Sequence, residues 1–215
     1  MILSVKSQIK EVLKMKKSSM NLPNKLSIVR CLLVPVFVVA LLFMRDIPIW
    51  GYIVPAVVYI LTGLTDMLDG KIARKYNLVT DFGKFIDPLA DKFMVLASMI
   101  SMLAWMLLRG EKPQALVFVW VVLIILLREL GVTSIRLVVA GKSGIVVAAS
   151  MLGKIKTVSQ MVGTVAIILE PLFYFEIFTK YHILSYACMA VMAFTTIFSG
   201  LDYLKAYLPH IDSNK

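Results

Sequence analysis

The stretch LTDMLDGKIARKYNLVTDFGKFIDPLADK, residues 64–92, holds five of the chain's 13 acidic residues, yet long apolar segments flank it on both sides. Hydrophobic residues make up 60% of the 215 positions and charged residues only 17%, which excludes an ordinary soluble domain. Six apolar runs each approach the ~20 residues that a membrane-spanning helix needs, and they lie near residues 26–44, 49–69, 86–108, 114–139, 155–178 and 183–204. The runs are continuous rather than alternating, which argues against a transmembrane barrel. The sequence therefore predicts an all-α integral membrane protein with six transmembrane helices.

Basic residues are distributed unevenly between the two sides of this predicted bundle. The loops on one side hold only Arg45, Arg109, Lys112 and Lys180 of the 23 lysines and arginines. Nearly all the others fall at the termini and in the loops of the opposite side, which marks that side as cytoplasmic. We therefore expect a protein of the cell membrane with both termini and the acidic stretch at the cytoplasmic face. The net charge of +10 follows from this topology and from attraction to anionic lipid, so it does not indicate a nucleic-acid partner.

Residues 1–19 differ from the rest of the chain. Apolar residues recur there at helical spacing while lysines fill the other face, which predicts a short amphipathic helix on an anionic membrane surface. The alternative is that translation begins at Met20 and the segment is a dispensable extension. Because the later loops are short, residues 20–215 are predicted to form one membrane domain.

Two predicted helices, one on each side of the loop in the acidic stretch, carry stripes in which carboxylates alternate with small residues. The stripes consist of Asp66, Asp69, Gly70 and Ala73 on the first helix and of Gly83, Asp87 and Asp91 on the second. A short connection makes the two helices antiparallel neighbours, so the four carboxylates are predicted to converge at their cytoplasmic ends. The small residues leave room for a bulky ligand beside them.

Four converging carboxylates need cations, because one aspartate at mid-membrane costs roughly 3 kcal/mol on insertion scales. A hard divalent ion such as Mg²⁺ or Mn²⁺ prefers oxygen ligands and commonly completes its shell with phosphate. One alternative is a set of ion pairs with the neighbouring bases Lys71, Arg74, Lys84 and Lys92. Another is a cation channel or transporter, whose charges would be distributed along a path through the membrane rather than clustered at one face.

A second charged group indicates a site for a phosphate-bearing ligand. Arg128 and Arg136 are two turns apart and about 80° around a predicted helix, so both can reach one cavity, and Glu129 can pair with one of them. Arginine suits bidentate phosphate recognition and is seldom accidental inside a span. Lys154 and Lys156 are about 160° apart on a helix, which favours only one of them at the same ligand unless the turn is irregular. Anchoring at the cytoplasmic face is the alternative for all four bases.

The acidic stretch contains the pattern DxxDGxxAR, then eight residues, then GxxxDxxxD, which together run from Asp66 to Asp91. This pattern resembles the signature of the CDP-alcohol phosphotransferases at every specified position, and the resemblance covers about residues 20–206. Within that family the segments NLPNKLSIVR (21–30), LLRELGVTSIR (126–136) and LGKIKT (152–157) are similar to those of the prokaryotic phosphatidylglycerophosphate synthases. Those enzymes join CDP-diacylglycerol to sn-glycerol 3-phosphate and release CMP in phospholipid biosynthesis.

The resemblance implies a role for each motif residue. Asp66, Asp69 and Asp87 would be metal ligands, in a site for two Mg²⁺ or Mn²⁺ ions. Asp91 would be the general base that takes the proton of the attacking hydroxyl, and it would also contact metal. The CDP-linked donor would bind Asp69, Gly70, Ala73, Arg74 and Gly83. The phosphate of the acceptor would bind Arg128, Arg136, Lys154 and Lys156.

The family resemblance also implies a homodimer that acts on membrane lipid. A sister enzyme with another acceptor, such as inositol phosphate, serine or phosphatidylglycerol, is the alternative within the family. The basic residues argue against the uncharged and lipid alcohols.

Overall fold

A computed structural model describes residues 21–76, 80–143, 150–173 and 180–207 of the chain. Within these ranges the description leaves out the side chains of residues 69, 71, 73–75, 81, 84 and 140–143. The amphipathic helix predicted over residues 1–19 lies outside the described residues, so it stays a prediction.

Six long helices make up most of the described chain, and each contains a segment long and apolar enough to cross a bilayer. They are α1 (Leu22–Phe43), α2 (Trp50–Tyr76), α3 (Asp81–Leu108), α4 (Lys112–Ser143), α5 (Met151–Leu169) and α6 (Ile183–Tyr207), with a short 3-10 turn, Glu170–Leu172, after α5. The described ranges contain no strand. The prediction of an all-α membrane protein with six spans is therefore confirmed.

Local sequence signals set where these helices begin. α1 begins before its apolar run because Pro23, in the first turn, already has the backbone angle that a helix needs. Thr80 caps α3, since its Oγ1 accepts a 3.0 Å hydrogen bond from the backbone N–H of Gly83. Ser150 caps α5 in the same way, with a 3.1 Å bond from Gly153. Both caps lie next to residues of the candidate site.

α2 is longer than the membrane-spanning segment that it contains. The apolar segment ends at Leu68, whereas the helix continues to Tyr76. At 1.5 Å per residue, the extension projects roughly 12 Å beyond the apolar segment. α3 begins at Asp81, and its own apolar segment begins only at Phe85. The acidic stretch therefore includes the neighbouring ends of the apolar segments of α2 and α3 and the helix turns beyond them.

The bundle has a buried core and an apolar outer surface. α1 packs on α2 and α3, α4 packs on α3 and α6, and α5 packs on α2 and α6. The core includes the buried side chains of Phe37, Met102, Trp105, Phe118 and Ile167. Large side chains on the outside, such as Trp120 and Leu127, are 69% and 79% exposed, as expected of helices that face lipid.

Arg109 joins α2 to α3 at the end of the bundle opposite the acidic stretch. Its guanidinium carbon lies 4.8 Å from the ring centroid of Trp105 and 5.3 Å from that of Tyr52. It donates hydrogen bonds of 2.5 Å to the Tyr52 hydroxyl and 2.9 Å to Glu111. Burial lowers the pKa of Arg109, but the hydrogen bonds from Arg109 to Tyr52 and Glu111 outweigh it and raise the pKa overall. Arg109 therefore stays charged and stabilises this end of the bundle.

Candidate active site

Arg30 of α1 lies between two carboxylates of the acidic stretch. Its Nη1 is 2.9 Å from Oδ1 of Asp66 in α2, and the same nitrogen contacts Oδ1 of Asp91 in α3. Arg30 is fully buried, whereas the side chains of Asp66 and Asp91 are 40% and 53% exposed. A buried guanidinium requires such partners, because an unpaired charge in the interior is strongly destabilising. One cationic group thus directs carboxylates from two helices towards a common centre.

α1 contributes further polar side chains to this centre. Ser27 Oγ donates a 2.5 Å hydrogen bond to Oδ1 of Asp87, and Asn24 Nδ2 donates a 2.9 Å bond to Thr80 Oγ1. Asn24, Ser27 and Arg30 are all buried. Asn24 and Ser27 are not among the predicted site residues, and Arg30 is only a weaker candidate for the acceptor pocket, since a cytoplasmic anchor is equally expected there. The i, i+3 and i+6 spacing of the three at the start of an apolar run marks one polar face of α1. A polar face on α1 therefore completes the acidic site.

Gly83 lies where the start of α3 approaches α1. A Cβ atom on Gly83 would lie 2.9 Å from Asn24 Oδ1 and 3.2 Å from Thr80 Oγ1. The first distance is shorter than real Cβ contacts allow, so only glycine fits while Asn24 and Thr80 stay hydrogen-bonded. Asp87 Oδ2 is the next neighbour, at 3.8 Å. Gly83 therefore forms part of the wall of the acidic site.

We expect Gly83→Ala to disturb the Thr80 cap and lower the free energy of unfolding by about 1 to 2 kcal/mol, the range found for a lost helix cap. Thermal unfolding of the purified protein in detergent measures the change. Gly131→Ala is the matched control, because nothing lies within 4 Å of a Cβ added at Gly131. Equal unfolding temperatures for the two variants would contradict this account of Gly83.

Some residues predicted for the donor site fall outside this description. Gly70 lies on α2 one turn after Asp66. The side chains of Asp69, Ala73 and Arg74 lie outside the described residues. Their roles as metal and donor ligands therefore stay predictions.

Lys92 follows Asp91 on α3 and connects the acidic site to α4. Its Nζ donates a 2.7 Å hydrogen bond to Thr133 Oγ1, and Thr133 in turn donates a 2.7 Å bond to the backbone carbonyl of Glu129. Lys92 was one of the bases in the ion-pair alternative, yet the described ion pairs of Asp66 and Asp91 are made by Arg30. The contacts of Lys92 place the acidic site beside the second charged group of the sequence.

That second group forms an ionic cluster in which Glu129 contacts two bases. Arg128 Nη1 lies 2.9 Å from Glu129 Oε1, and Lys156 Nζ of α5 contacts the same oxygen. Arg128 Nη2 also donates a 2.9 Å bond to Ser199 Oγ in α6. The Nε of Arg128 is buried and has no hydrogen-bond partner among the described residues. Arg128 therefore keeps a donor that its protein contacts do not satisfy.

Tyr203 of α6 brings Arg136 to this basic cluster, which we define as Arg128, Glu129, Arg136, Lys156 and Tyr203. The Tyr203 ring centroid lies 5.2 Å from Cζ of Arg128 and 5.1 Å from Cζ of Arg136. Arg136 Nη2 donates a 3.1 Å hydrogen bond to the Tyr203 hydroxyl. Tyr203 was not predicted, since a tyrosine near the end of a last span is indistinguishable from an ordinary interfacial one.

The two lysines predicted for the acceptor phosphate lie in different surroundings. Lys156 is only 3% exposed and belongs to the basic cluster. Lys154 is exposed and lines a shallow groove with Ile155, Val158, Ser159 and Val162. Because α5 is a regular helix here, the ~160° between the two positions is preserved. The structure therefore brings Lys156 to the arginines, and Lys154 faces elsewhere.

The chemistry of the acidic site fits a hard cation. Oδ1 of Asp66 and Oδ1 of Asp91 both contact one nitrogen of Arg30, so the two oxygens are directed towards one positive centre. Carboxylate oxygens are the ligands that Mg²⁺ and Mn²⁺ prefer. Among the described residues no three histidine, cysteine, aspartate or glutamate side chains form a metal cluster, and the side chain of Asp69 lies outside that set.

The family model for CDP-alcohol phosphatidyltransferase matches residues 20–199, which include the whole acidic stretch. The chain belongs to this family. The resemblance stated from the acidic motif is thereby confirmed. In this CDP-alcohol phosphatidyltransferase the acidic site and the basic cluster are two separate charged regions that Lys92 and Thr133 connect.

Several curated relatives of this CDP-alcohol phosphatidyltransferase carry one name, CDP-diacylglycerol–glycerol-3-phosphate 3-phosphatidyltransferase. The protein of that name from Bacillus subtilis (strain 168) is 40% identical over 197 residues, covering 85% of this chain and 93% of the relative. The one from Pseudomonas fluorescens is 32% identical over 200 residues, covering 91% and 94%. The one from Rickettsia felis is 34% identical over 190 residues, covering 86% and 94%. The similarity therefore extends over nearly the whole of each protein.

Proposed function

We propose that this CDP-alcohol phosphatidyltransferase transfers the phosphatidyl group of CDP-diacylglycerol to sn-glycerol 3-phosphate, giving phosphatidylglycerophosphate and CMP. The names of the relatives support both substrates. The observation that carries the choice of acceptor is the basic cluster, in which Arg128 and Lys156 contact the single carboxylate of Glu129 and Arg136 lies against Tyr203. The reaction takes place at the cytoplasmic face of the cell membrane, which the distribution of lysine and arginine supports.

The charge of the basic cluster suits a phosphate monoester. Such a group carries about −1.5 to −2 charges at pH 7, and the cluster has an excess of positive charge after Glu129 is counted. Arginine presents five N–H donors in a planar fork, and the described hydrogen bonds of Arg136 use its Nη2. Serine has no phosphate and no net negative charge, so it would leave these cations largely unneutralised, whereas glycerol 3-phosphate neutralises them.

The proposed reaction is a displacement at phosphorus. The hydroxyl oxygen of glycerol 3-phosphate forms a bond to the phosphorus that carries the diacylglycerol, and the pyrophosphate P–O bond breaks so that CMP leaves. Asp91 takes the proton of the attacking hydroxyl, and its 53% exposed side chain is open to that substrate. Arg128, Arg136 and Lys156 hold the acceptor phosphate and so orient the hydroxyl towards the donor.

Asp66, Asp69, Asp87 and Asp91 would hold two divalent ions, Mg²⁺ or Mn²⁺, which when bound neutralise the pyrophosphate of the donor. Arg30 and Ser27 position three of these carboxylates from the side of α1. Gly70, Ala73, Arg74 and Gly83 would receive the cytidine and its phosphates. The family resemblance further favours a homodimer.

The decisive test is an acceptor screen with the purified protein in mixed micelles that contain CDP-diacylglycerol. We expect CMP release that depends on a divalent cation and on sn-glycerol 3-phosphate. Release with inositol phosphate, serine or phosphatidylglycerol, and none with sn-glycerol 3-phosphate, would assign the chain to a sister enzyme instead. Ion flux through reconstituted vesicles, without any CMP release, would support a channel or transporter.

Arg136→Ala is expected to raise the KM for sn-glycerol 3-phosphate about 10- to 100-fold, because it removes charged hydrogen bonds to the phosphate worth about 1.5 to 3 kcal/mol. The KM for CDP-diacylglycerol should change little. Steady-state CMP release with each substrate varied in turn measures both constants. Lys205→Ala serves as control, since Lys205 is an exposed base near the end of α6. An equal rise in both KM values would contradict a role limited to the acceptor.

A further inference from the structure

Tyr203 contacts the guanidinium groups of both Arg128 and Arg136, in addition to its packing in the core. It lies on α6, which carries none of the residues predicted for the site. We propose that Tyr203 is a positioning residue that fixes Arg128 and Arg136 in the geometry that binds the acceptor phosphate. This inference rests on the proposed function, because it concerns the acceptor half of that site.

The ring of Tyr203 offsets the electrostatic repulsion between Arg128 and Arg136. The guanidinium groups of Arg128, which is largely buried, and of Arg136, which is exposed, both lie against this ring and repel each other. Both Cζ atoms lie just over 5 Å from the centroid of this one ring, at 5.2 and 5.1 Å. The negative face of an aromatic ring attracts cations within about 6 Å. The ring therefore stabilises two like charges near each other before any anion binds.

The hydroxyl of Tyr203 connects three helices. It accepts a 3.1 Å hydrogen bond from Arg136 Nη2 of α4 and a 3.3 Å bond from the backbone N–H of Ser150, the cap of α5. α5 also carries Lys156, the third base of the cluster. The hydroxyl thus links Arg136 to the start of the helix that carries Lys156, so the three bases have a fixed arrangement.

Packing leaves the Tyr203 ring little freedom to move. Tyr203 is 5% exposed and packs in a small core with Val132, Val139 and Tyr207. On the side of α5, a Cβ added to Gly153 would lie 3.3 Å from the Tyr203 hydroxyl and 3.4 Å from its Cε2. The α5 backbone therefore approaches the ring so closely that any side chain at position 153 would press on it. A ring held from two sides can orient arginine side chains that would otherwise sample many rotamers.

Arginine side chains that are ordered before the acceptor binds give it a higher affinity. A flexible arginine loses conformational entropy when it binds phosphate, and ordering it beforehand removes that cost. The ordering raises the affinity for a phosphate-bearing acceptor. It does not raise the affinity for the CDP-linked donor, which binds at the acidic site. A residue with a merely structural role would instead lower the apparent kcat and the unfolding temperature, because less of the protein would be folded, and would leave the KM for the acceptor unchanged.

The test compares Tyr203→Phe, which keeps the ring and removes the hydroxyl, with Tyr203→Leu, which removes both. Tyr207→Phe is the matched control, since Tyr207 stacks on Tyr203 at 6.2 Å and its described contacts include neither arginine. We expect Tyr203→Phe to raise the KM for sn-glycerol 3-phosphate about tenfold, the equivalent of one charged hydrogen bond. Tyr203→Leu should raise it further. The kcat, the KM for CDP-diacylglycerol and the unfolding temperature of Tyr203→Phe should match those of Tyr207→Phe.

Calorimetric titration with sn-glycerol 3-phosphate and with inorganic phosphate separates this proposal from the proposed function. Weaker phosphate binding by Tyr203→Phe than by the parent protein supports the positioning role. Absence of CMP release by the parent protein with sn-glycerol 3-phosphate would overturn only the proposed function. Three results would overturn the positioning role. They are an acceptor KM within twofold of the parent, an equal rise in the donor KM, and a parent protein that binds neither phosphate compound.

Discussion

Replacing Asp91 by asparagine is expected to reduce turnover by about 10²- to 10⁴-fold, the usual contribution of a general base. Asparagine keeps the size of the side chain and loses the oxygen charge that would accept the proton of the acceptor hydroxyl. The KM for CDP-diacylglycerol should change far less, because Asp66 and Asp87 keep their contacts with Arg30 and Ser27. CMP release at saturating concentrations of both substrates measures the loss.

Two comparison variants make the Asp91 result interpretable. Asp87→Asn is expected to weaken the binding of the divalent cation and of the donor more than Asp91→Asn does, since Asp87 is proposed only as a metal ligand whereas Asp91 is also the base. Asp46→Asn makes the same chemical change in the loop after α1, where Asp46 is 82% exposed beside Arg45. It should leave turnover unchanged. If Asp91→Asn retains more than a tenth of the parental rate, another group must accept the proton.

Replacing Arg30 by glutamine is expected to destabilise the protein most strongly in the absence of divalent cations. The change leaves Asp66 and Asp91 without the cation that both contact, and their mutual repulsion then separates α2 from α3. Removing one partner of a fully buried ion pair costs about 3 to 5 kcal/mol. The partners here are about half exposed, so water reduces the loss to about 1 to 3 kcal/mol. Thermal unfolding in the presence of a chelator measures it.

Addition of Mn²⁺ provides the second arm of the Arg30 experiment. A divalent ion that binds the carboxylates supplies the missing positive charge, so it should raise the unfolding temperature of Arg30→Gln more than that of the parent protein. Arg45→Gln is the control, because its 3.6 Å ion pair with Asp46 is exposed and such pairs contribute little. An Arg30→Gln protein as stable as the parent in chelator would show that Arg30 does not hold the carboxylates together.

Most of the fold could be predicted because membrane-spanning helices have a strong signal. Long apolar runs gave the six spans, and the stripe of Gly83, Asp87 and Asp91 lies on one helix, α3, as expected. The residues at which the helices begin and end were harder to predict. The run predicted over residues 155–178 corresponds to a helix that begins at Met151 and gives way to a 3-10 turn at Glu170. Hydropathy alone does not detect the Ser150 cap or the effect of Pro171 on the helix end.

The candidate site was predicted only where its residues repeat along one helix. Arg30 was a weaker candidate because one arginine near the start of a span is equally expected as a cytoplasmic anchor. Its contacts with Asp66 and Asp91 depend on how α1 packs against α2 and α3, which no local pattern encodes. Tyr203 was missed for the same reason, since its importance lies in contacts across three helices. Helical spacing did predict that Lys154 and Lys156 face different ways, but it did not predict which of them lies beside the arginines.

The length of α2 beyond its apolar segment has a consequence for how substrates meet. Asp66, Asp87 and Asp91 lie within about two turns of the ends of the apolar segments of α2 and α3, so they would lie near the headgroups of one leaflet if those segments span the bilayer. A lipid-linked nucleotide would therefore reach them by lateral diffusion within one leaflet, and its two chains need never leave the hydrocarbon. A small hydrophilic acceptor would arrive from the aqueous side. Binding of the first substrate would then depend on its mole fraction in the leaflet, and binding of the second on its concentration in solution.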